Sequence, residues 1–173
     1  GRVITNAHVV AGVDQPTVRV RLGDPGLPAT VVYFDSGVDI AVLDVPGLAA
    51  DPLPLVPDAA RSGDPAVVAG FPESGPFRAE PARVRAALTA VGDDIYGQAG
   101  VERQVYALRG TVLPGNSGGP LLRPDGAVLG LVFGADEQAE ETGYALTAGE
   151  VRDALAAGMS AVGVDTGSCR IRD

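Results

Sequence analysis

TVLPGNSGGPLL, residues Thr111–Leu122, places three glycines and two prolines around one serine, Ser117. Gly, Pro, Asn and Ser dominate turns for backbone reasons alone. The stretch therefore reads either as a tight connection between two strands or as a turn that presents a nucleophile. The rest of the chain discriminates between the two.

Working outward from this turn, the apolar period is mostly two. GPLLR (Gly119–Arg123) and AVLGLVFG (Ala127–Gly134) read as strands, joined by the hairpin turn RPDGAV with Asp-Gly at its centre. GYALT (Gly143–Thr147), RQVYALR (Arg103–Arg109) and AVVAGF (Ala66–Phe71) read the same way. ARVRAALTAV (Ala82–Val91) is ambiguous: Val84, Leu88 and Val91 fit helical spacing, while Val84, Ala86, Leu88 and Ala90 alternate. GDDIYGQAG, which follows, is a loop. Nearer the start, RVIT leads into His8, and TVRVRL (Thr17–Leu22) alternates Val18, Val20 and Leu22 with Arg19 and Arg21. ATVVYFD (Ala29–Asp35) and DIAVLDV (Asp39–Val45) are further strands. Between Leu48 and Pro65, prolines at 52, 54, 57 and 65 argue against helix or central strand, so this segment reads as a connection between two lobes.

One helix is expected near the end. Thr147 and Glu150 have capping-box spacing, Val151, Leu155 and Met159 recur on one face, and the helix should run to about Ala157 and stop near Gly158. The tail from Ser160 to Asp173 is irregular. Many short strands, two lobes and a terminal helix predict an all-β protein of two small barrels.

Composition narrows the function classes. Net charge is −9, all thirteen cations are arginine, and no basic stripe exists, which disfavours nucleic acid as a partner. Hydrophobic residues make up 46% and aromatics only 5%, so the core must be built from Val, Leu and Ala. No run approaches the ~18 apolar residues that span a bilayer. The chain opens inside an apparent strand, GRVITNAHVV, which leads us to expect a native start upstream of Gly1. Cys169 is the only cysteine and His8 the only histidine. The cysteine reads either as a free thiol or as half of a disulfide. With one of each, a zinc centre of the usual N/S type cannot be assembled, so no metal or organic cofactor is expected. Neither nucleotide-binding glycine fingerprint is present.

Serine nucleophiles need a base, a carboxylate that holds the base in the right tautomer, and N–H donors for the oxyanion. The chain offers His8, Asp39 before the apolar IAVL, and Ser117 among glycines, in that order. A lone histidine on a strand is often structural, and Asp39 also reads as an ordinary strand-end residue. A carboxylate drawn toward the interior nevertheless needs a partner, and an imidazole suits it. Gly115 lets its own N–H and that of Ser117 converge, and Gly118 and Gly119 are expected to leave room for a substrate backbone.

TNAHVV, DIAVL and GNSGGPL together resemble the catalytic blocks of trypsin-like, chymotrypsin-fold serine proteases, on the HtrA/DegP-like branch. PLPLVPDAARSGDPAVVAGFP and GYALTAGEV extend the resemblance to about Ala157. It implies two six-stranded antiparallel barrels with a C-terminal helix, the first barrel truncated here at its N-terminal side. The divisions would be 1–47 for the remainder of the first barrel, 48–65 for the connection, 66–147 for the second barrel, and 148–173 for the helix and tail. It also makes Ala82–Val91 a strand. It implies a serine endopeptidase in which Ser117 attacks, His8 moves the proton and Asp39 orients His8. Gly115, Asn116 and Ser117 would form the oxyanion hole. Thr111, Val112, Leu113, Phe133, Gly134, Ala135 and Tyr144 would bind substrate, with no acidic residue at the pocket positions that can be placed, hence an apolar or small residue before the cleaved bond. The partners implied are protein or peptide substrates and a membrane anchor or N-terminal segment outside this chain, in an extracytoplasmic setting where Cys169 would pair with a cysteine upstream of Gly1. Two departures stand out. Phe133 replaces a serine that hydrogen-bonds the carboxylate in many relatives, and no PDZ domain follows the helix. The rival readings are a catalytically silent, peptide-binding module on the same fold and an acyl hydrolase using the same trio. The lack of alternating βαβ units speaks against an α/β-hydrolase.

Overall fold

A computed structural model describes residues 1–21, 23–136, 139, 141–160 and 162–169. Among them are eleven strands: β1 (Arg2–Thr5), β2 (Thr17–Val18), β3 (Leu27–Pro28), β4 (Thr30–Asp35), β5 (Ile40–Asp44), β6 (Pro65–Gly70), β7 (Arg78–Gly92), β8 (Val101–Arg109), β9 (Pro120–Leu122), β10 (Val128–Ala135) and β11 (Thr142–Thr147). Two α-helices, α1 (Ala7–Val10) and α2 (Ala148–Ala157), complete the regular structure, together with a 3₁₀ turn at Pro72–Ser74. The protein is all-β with a C-terminal helix.

Strands β6 to β11 close into one barrel, in the order β10-β11-β8-β7-β6-β9. The short β9 closes it by pairing with both neighbours, Leu122 facing Val67 of β6 and Val128 of β10. Tyr106, Leu108, Leu121, Val68, Val84 and Val132 fill the interior. Tyr106 is the large aromatic of this core, and its hydroxyl is satisfied by the Ala60 N–H at 2.9 Å. The ambiguous segment Ala82–Val91 lies within the fifteen-residue β7, as the family resemblance implied. Pairing with β8 from Arg83 onward, and with β6 at Ala82 and Arg83, overrides its helical composition. Of its helically spaced residues only Val84 is buried; Leu88 and Val91 face solvent.

The N-terminal part forms a three-stranded sheet, β1-β5-β4, and a separate two-stranded ribbon, β2-β3. β1 and β5 are antiparallel, from Arg2↔Asp44 to Thr5↔Ala41. Ile40, Val42 and Val32 of this sheet share one core cluster with Val105, Leu131 and Leu146 of the barrel and with Val151 and Ala154 of α2. The helix thus lies where sheet and barrel meet. A Cβ on Gly158, which ends α2, would sit 2.8 Å from the Val42 Cβ. Arg2 closes that helix end by donating from Nε to the Gly158 carbonyl (3.0 Å) and from a second nitrogen to the Met159 carbonyl (3.1 Å), while pairing with Asp44. Carbonyls left free at a helix C-terminus are thereby satisfied by a cation.

Three expectations need correction. TVRVRL is a strand only at Thr17–Val18, because β3 offers just two residues to pair with; Val20 is exposed, and Leu22 lies outside the described residues. Thr147 caps α2 by position but makes no side-chain cap bond. Glu150 turns instead to the Gln104 N–H (2.8 Å), one residue beyond the last β8–β11 pair, Val105↔Leu146. Met159, at 68% exposure, lies past the helix end, and Ala154 takes the inner position beside Val151. The segment between β5 and β6 has no extended strand; the bridge Leu55↔Val128, the bonds of Gly63 and Asp64 to Val84, and the Ala60 N–H on the Tyr106 hydroxyl stitch it to the barrel.

Among the described tail residues, the chain runs back over the N-terminal sheet. Val164 N–H donates to the Val31 carbonyl (2.9 Å) and Gly12 N–H to the Thr166 carbonyl (3.2 Å). The Tyr96 hydroxyl donates to the carbonyls of Thr166 and Ser168 at 3.3 and 3.2 Å. The end of α1 is thus tied to the C-terminal tail.

Candidate active site

His8 sits on a single helical turn. β1 ends at Thr5, Asn6 is extended (φ −77°, ψ 151°), and α1 begins at Ala7. Ala7 and Val10 are buried, which leaves His8 half-buried on the outer side of the turn. Asp39 lies just before β5, at the end of a turn closed by Asp35. The Asp35 carboxylate accepts the Val38 N–H (2.9 Å) and its carbonyl accepts the Asp39 N–H (3.0 Å). The buried, apolar β5 draws Asp39 inward, to 6% exposure. Its Oδ2 lies 2.7 Å from His8 Nδ1, and its Oδ1 accepts the His8 backbone N–H at 2.9 Å. A carboxylate oxygen accepts, so Nδ1 carries the ring proton and Nε2 keeps the lone pair.

The backbone of Asp39 is left-handed (φ 68°). Side chains adopt this conformation uncommonly, Asp and Asn most often among them. Asn6, fully buried, donates from Nδ2 to the Asp39 carbonyl at 2.8 Å. Among the described residues no protein donor reaches its Oδ1. The sequence reading places this stretch inside a strand and assigns Asn6 no role; the helical turn that carries His8 corrects it.

The Ser117 turn belongs to the barrel. Gly118 N–H donates to the Val132 carbonyl, and Val132 N–H donates back to the Gly119 carbonyl, each at 2.9 Å. Two of its glycines are required by the chain's own packing. A Cβ on Gly118 would lie 2.4 Å from Thr5 Oγ1, and one on Gly119 would lie 2.3 Å from the Ala69 carbonyl oxygen. The first approach seats the serine turn against the end of β1, three residues before His8. Among the described residues the Ser117 hydroxyl has one hydrogen-bond partner, the Phe133 carbonyl at 3.5 Å, and not His8.

Gly115 is left-handed (φ 94°), and neither its N–H nor that of Ser117 is taken by a protein acceptor among the described residues. Asn116 is different. Its N–H donates to the Leu113 carbonyl (3.0 Å) and its Oδ1 accepts the Leu113 N–H (2.9 Å). Its backbone N–H is thereby committed to the turn, which leaves the backbone N–H groups of Gly115 and Ser117 among the expected oxyanion donors.

The expected substrate wall is partly rebuilt. Val112 is a core residue of the barrel, packed where Gly143 leaves space for its methyl. Thr111, Leu113 and Ala135 are exposed. Phe133 is the extra residue of a bulge between the pairs Val132↔Ala145 and Gly134↔Tyr144. Its ring centroid lies 6.3 Å from that of Tyr144. Tyr144 donates to Asp136 Oδ2 (3.1 Å), and burial first, then this hydrogen bond and charge, push its hydroxyl above the ordinary tyrosine range. Asp136 is therefore an acidic group at this wall that the sequence reading passed over.

An apolar groove of about 400 Å³ adjoins Ser117, lined by Gly115, Gly118, Val9, Phe71 and Phe77 among others. A larger hollow of about 560 Å³, between Val56, Gln104 and Arg152, holds none of the three residues named above. No group of side chains suited to hold a metal ion occurs among the described residues. Cys169 is exposed and unpaired within the chain, its backbone abutting Gly12 just past α1.

Comparison with known proteins places this geometry. Residues 1–131 match the family model of the trypsin-like peptidase domain. Serine protease Rv3671c of Mycobacterium tuberculosis (strain ATCC 25618 / H37Rv) is 48% identical over 169 residues, which cover 97% of this chain and 42% of that protein. The serine protease Do-like HtrB of Bacillus subtilis (strain 168) is 29% identical over 154 residues, 86% of this chain and 33% of that one. The chain thus spans under half the length of these relatives. The crystal structure of Rv3671c protease in its active form superposes with a TM-score of 0.92, over 97% of this chain and 74% of that chain. An inactive form of the same protease gives 0.80, over 92% of this chain and 80% of that chain. With most of its length matched by the family model, the chain belongs to the trypsin-like peptidases.

Proposed function

We propose that this chain is the catalytic domain of a serine endopeptidase that cleaves peptide bonds through an acyl-enzyme on Ser117. The observation that carries the reading is the two-point grip of Asp39 on His8, through the backbone N–H and through Nδ1, which leaves Nε2 as a base. For reaction, the Ser117 hydroxyl turns from the Phe133 carbonyl to His8 Nε2. Oγ bonds to the scissile carbonyl carbon as His8 takes its proton. The oxyanion meets the free N–H groups of Gly115 and Ser117. The C–N bond then breaks, and His8 returns the proton to the leaving amine. Water attacks the ester by the same route in reverse, freeing the acid and restoring Ser117. No metal or organic cofactor enters these steps.

Phe133, Gly134 and Ala135 pair with the substrate backbone on this reading, and Thr111, Leu113 and Tyr144 border the residue before the cleaved bond, taken to be apolar or small. We further divide the chain into 1–47, 48–65, 66–147 and 148–173, as barrel remainder, connection, second barrel, and helix with tail. The greater length of the relatives supports a domain of a longer protein; on this reading that protein is membrane-anchored and extracytoplasmic, with Cys169 bonded to a cysteine upstream of Gly1. No helix among the described residues is long and apolar enough to cross a membrane.

The test is intact-mass labelling with a fluorophosphonate probe, followed by peptide mapping. A single adduct on Ser117 is expected, lost in Ser117→Ala, which should also cut peptidase turnover by about 10⁴–10⁶-fold. A second reading, a catalytically silent peptide-binding module, is favoured only by the Ser117 bond to Phe133 rather than to His8. Absence of any adduct would select it.

A further inference from the structure

We propose that Asn6 is a positioning residue for the Ser117 reaction, holding Asp39 in the one backbone conformation that aims both carboxylate oxygens at His8. The proposal rests on the reading of Ser117, His8 and Asp39 given above.

All four polar ends of Asp39 are committed. Its N–H goes to the Asp35 carbonyl, Oδ1 to the His8 N–H, Oδ2 to His8 Nδ1, and its carbonyl to Asn6 Nδ2. The Asp35 bond belongs to the preceding turn. The Asn6 bond alone ties the Asp39 main chain to the segment that carries His8, two residues before it. A left-handed φ of 68° on a non-glycine residue persists only where its surroundings over-determine it. Relaxation toward ordinary φ would turn the carbonyl and swing the carboxylate off the imidazole. The orientation of the Asn6 amide is fixed by the same bond, since the flipped amide would set oxygen against oxygen.

A fully buried site with no polar task would be served by a small apolar residue, whereas here the amide is spent on the Asp39 carbonyl. The division of labour is also economical in chain length. Asn6–Ala7–His8 presents an amide, a buried methyl and a base from one turn, and both polar members grip the same aspartate.

The experiment is the rate of Ser117 phosphonylation by the fluorophosphonate probe, with saturation kinetics to separate probe binding from the chemical step. It compares the unmodified chain with Asn6→Ala, Asp39→Ala and the double variant. Asn6→Ala should slow the chemical step by about 10–100-fold with probe affinity unchanged, the scale expected when a reacting group is misplaced by about an ångström. In the Asp39→Ala background the same change should alter the rate by less than about twofold, because Asn6 acts only through Asp39. A rate for Asn6→Ala within twofold of the unmodified chain would overturn the proposal. So would an equal loss in both backgrounds, which is the signature of a structural role. If Asp39→Ala itself labels like the unmodified chain, the triad reading falls first and takes this one with it. Asn6→Val, which fills more of the site without a donor, repeats the comparison if circular dichroism shows that Asn6→Ala does not fold.

Discussion

The two halves of the candidate site are held in different ways. Ser117 stands on a closed barrel, where every strand has two neighbours and the turn is fastened by backbone bonds from Gly118, Val132 and Asn116. His8 and Asp39 stand on a three-stranded sheet with β1 and β4 at its edges, and they are fastened largely by side chains: Asn6, Asp39 and, further back, Asp35. The nucleophile is thus placed by topology, and the base by a short chain of polar contacts. A point substitution should disturb the second far more easily than the first, unless it strikes where the two meet.

Gly118 is that meeting point, and the largest effect short of removing the triad is expected there. Gly118→Val would drive a side chain into Thr5, at a backbone φ of 80° that valine rarely adopts. The turn and β1 would part, and acylation of Ser117 should fall by about 100-fold or more. Labelling kinetics would check this, and a near-normal rate would mean that sheet and barrel are not coupled through this contact.

Next come matched core deletions. Leu121→Ala in the barrel should cost about 2–5 kcal/mol, and Val42→Ala in the sheet somewhat less, as fewer atoms are removed. Val42 lies in the cluster that joins sheet, barrel and α2, so both variants should shift one common denaturation transition. Two transitions, with Val42→Ala moving only the earlier, would show that the sheet unfolds alone.

The smallest effect concerns acid. Asp94 is held below the ordinary carboxylate range, chiefly by the backbone N–H of Gln98 and then by that of Tyr96. A depressed folded value means the unfolded chain binds this proton more readily. The stabilisation is therefore present above the ordinary carboxylate range and is lost as pH falls through and below it. Its loop carries Tyr96, which anchors the tail beside α1. Below about pH 4, hydrogen exchange should rise first at Tyr96 and Gln98, while the barrel amides of Val105–Leu108 stay protected. Uniform exchange across both regions would contradict the division drawn here.

Legibility in the sequence follows the same division. The continuous apolar runs AVVAGF and AVLGLVFG report strands reliably, because both lie in a closed barrel where little of the strand meets water. Alternation misleads in TVRVRL, where it exists but only Leu27–Pro28 is available as partner. His8, Asp39 and Ser117 are readable because each stands beside a strong local signal: a strand end, an apolar run, a glycine turn. Asn6 is not, since GRVITNAHVV reads as one strand and nothing in it singles out the asparagine two residues before His8. Nor are the true neighbours of Gly118 and Gly119, which lie more than a hundred and about fifty residues away in the chain. Thr147 and Glu150 carry the right spacing for a reciprocal cap, yet the Gln104 N–H captures Glu150, a tertiary contact that no local pattern announces.

The central claim is that a base held on the sheet serves a nucleophile held on the barrel. The most direct measurement is the rate of fluorophosphonate adduct formation on Ser117, by intact mass, in the unmodified chain and in His8→Ala. The account predicts a loss of about 10⁴-fold or more with the fold intact. Equal labelling rates in the two proteins would contradict it.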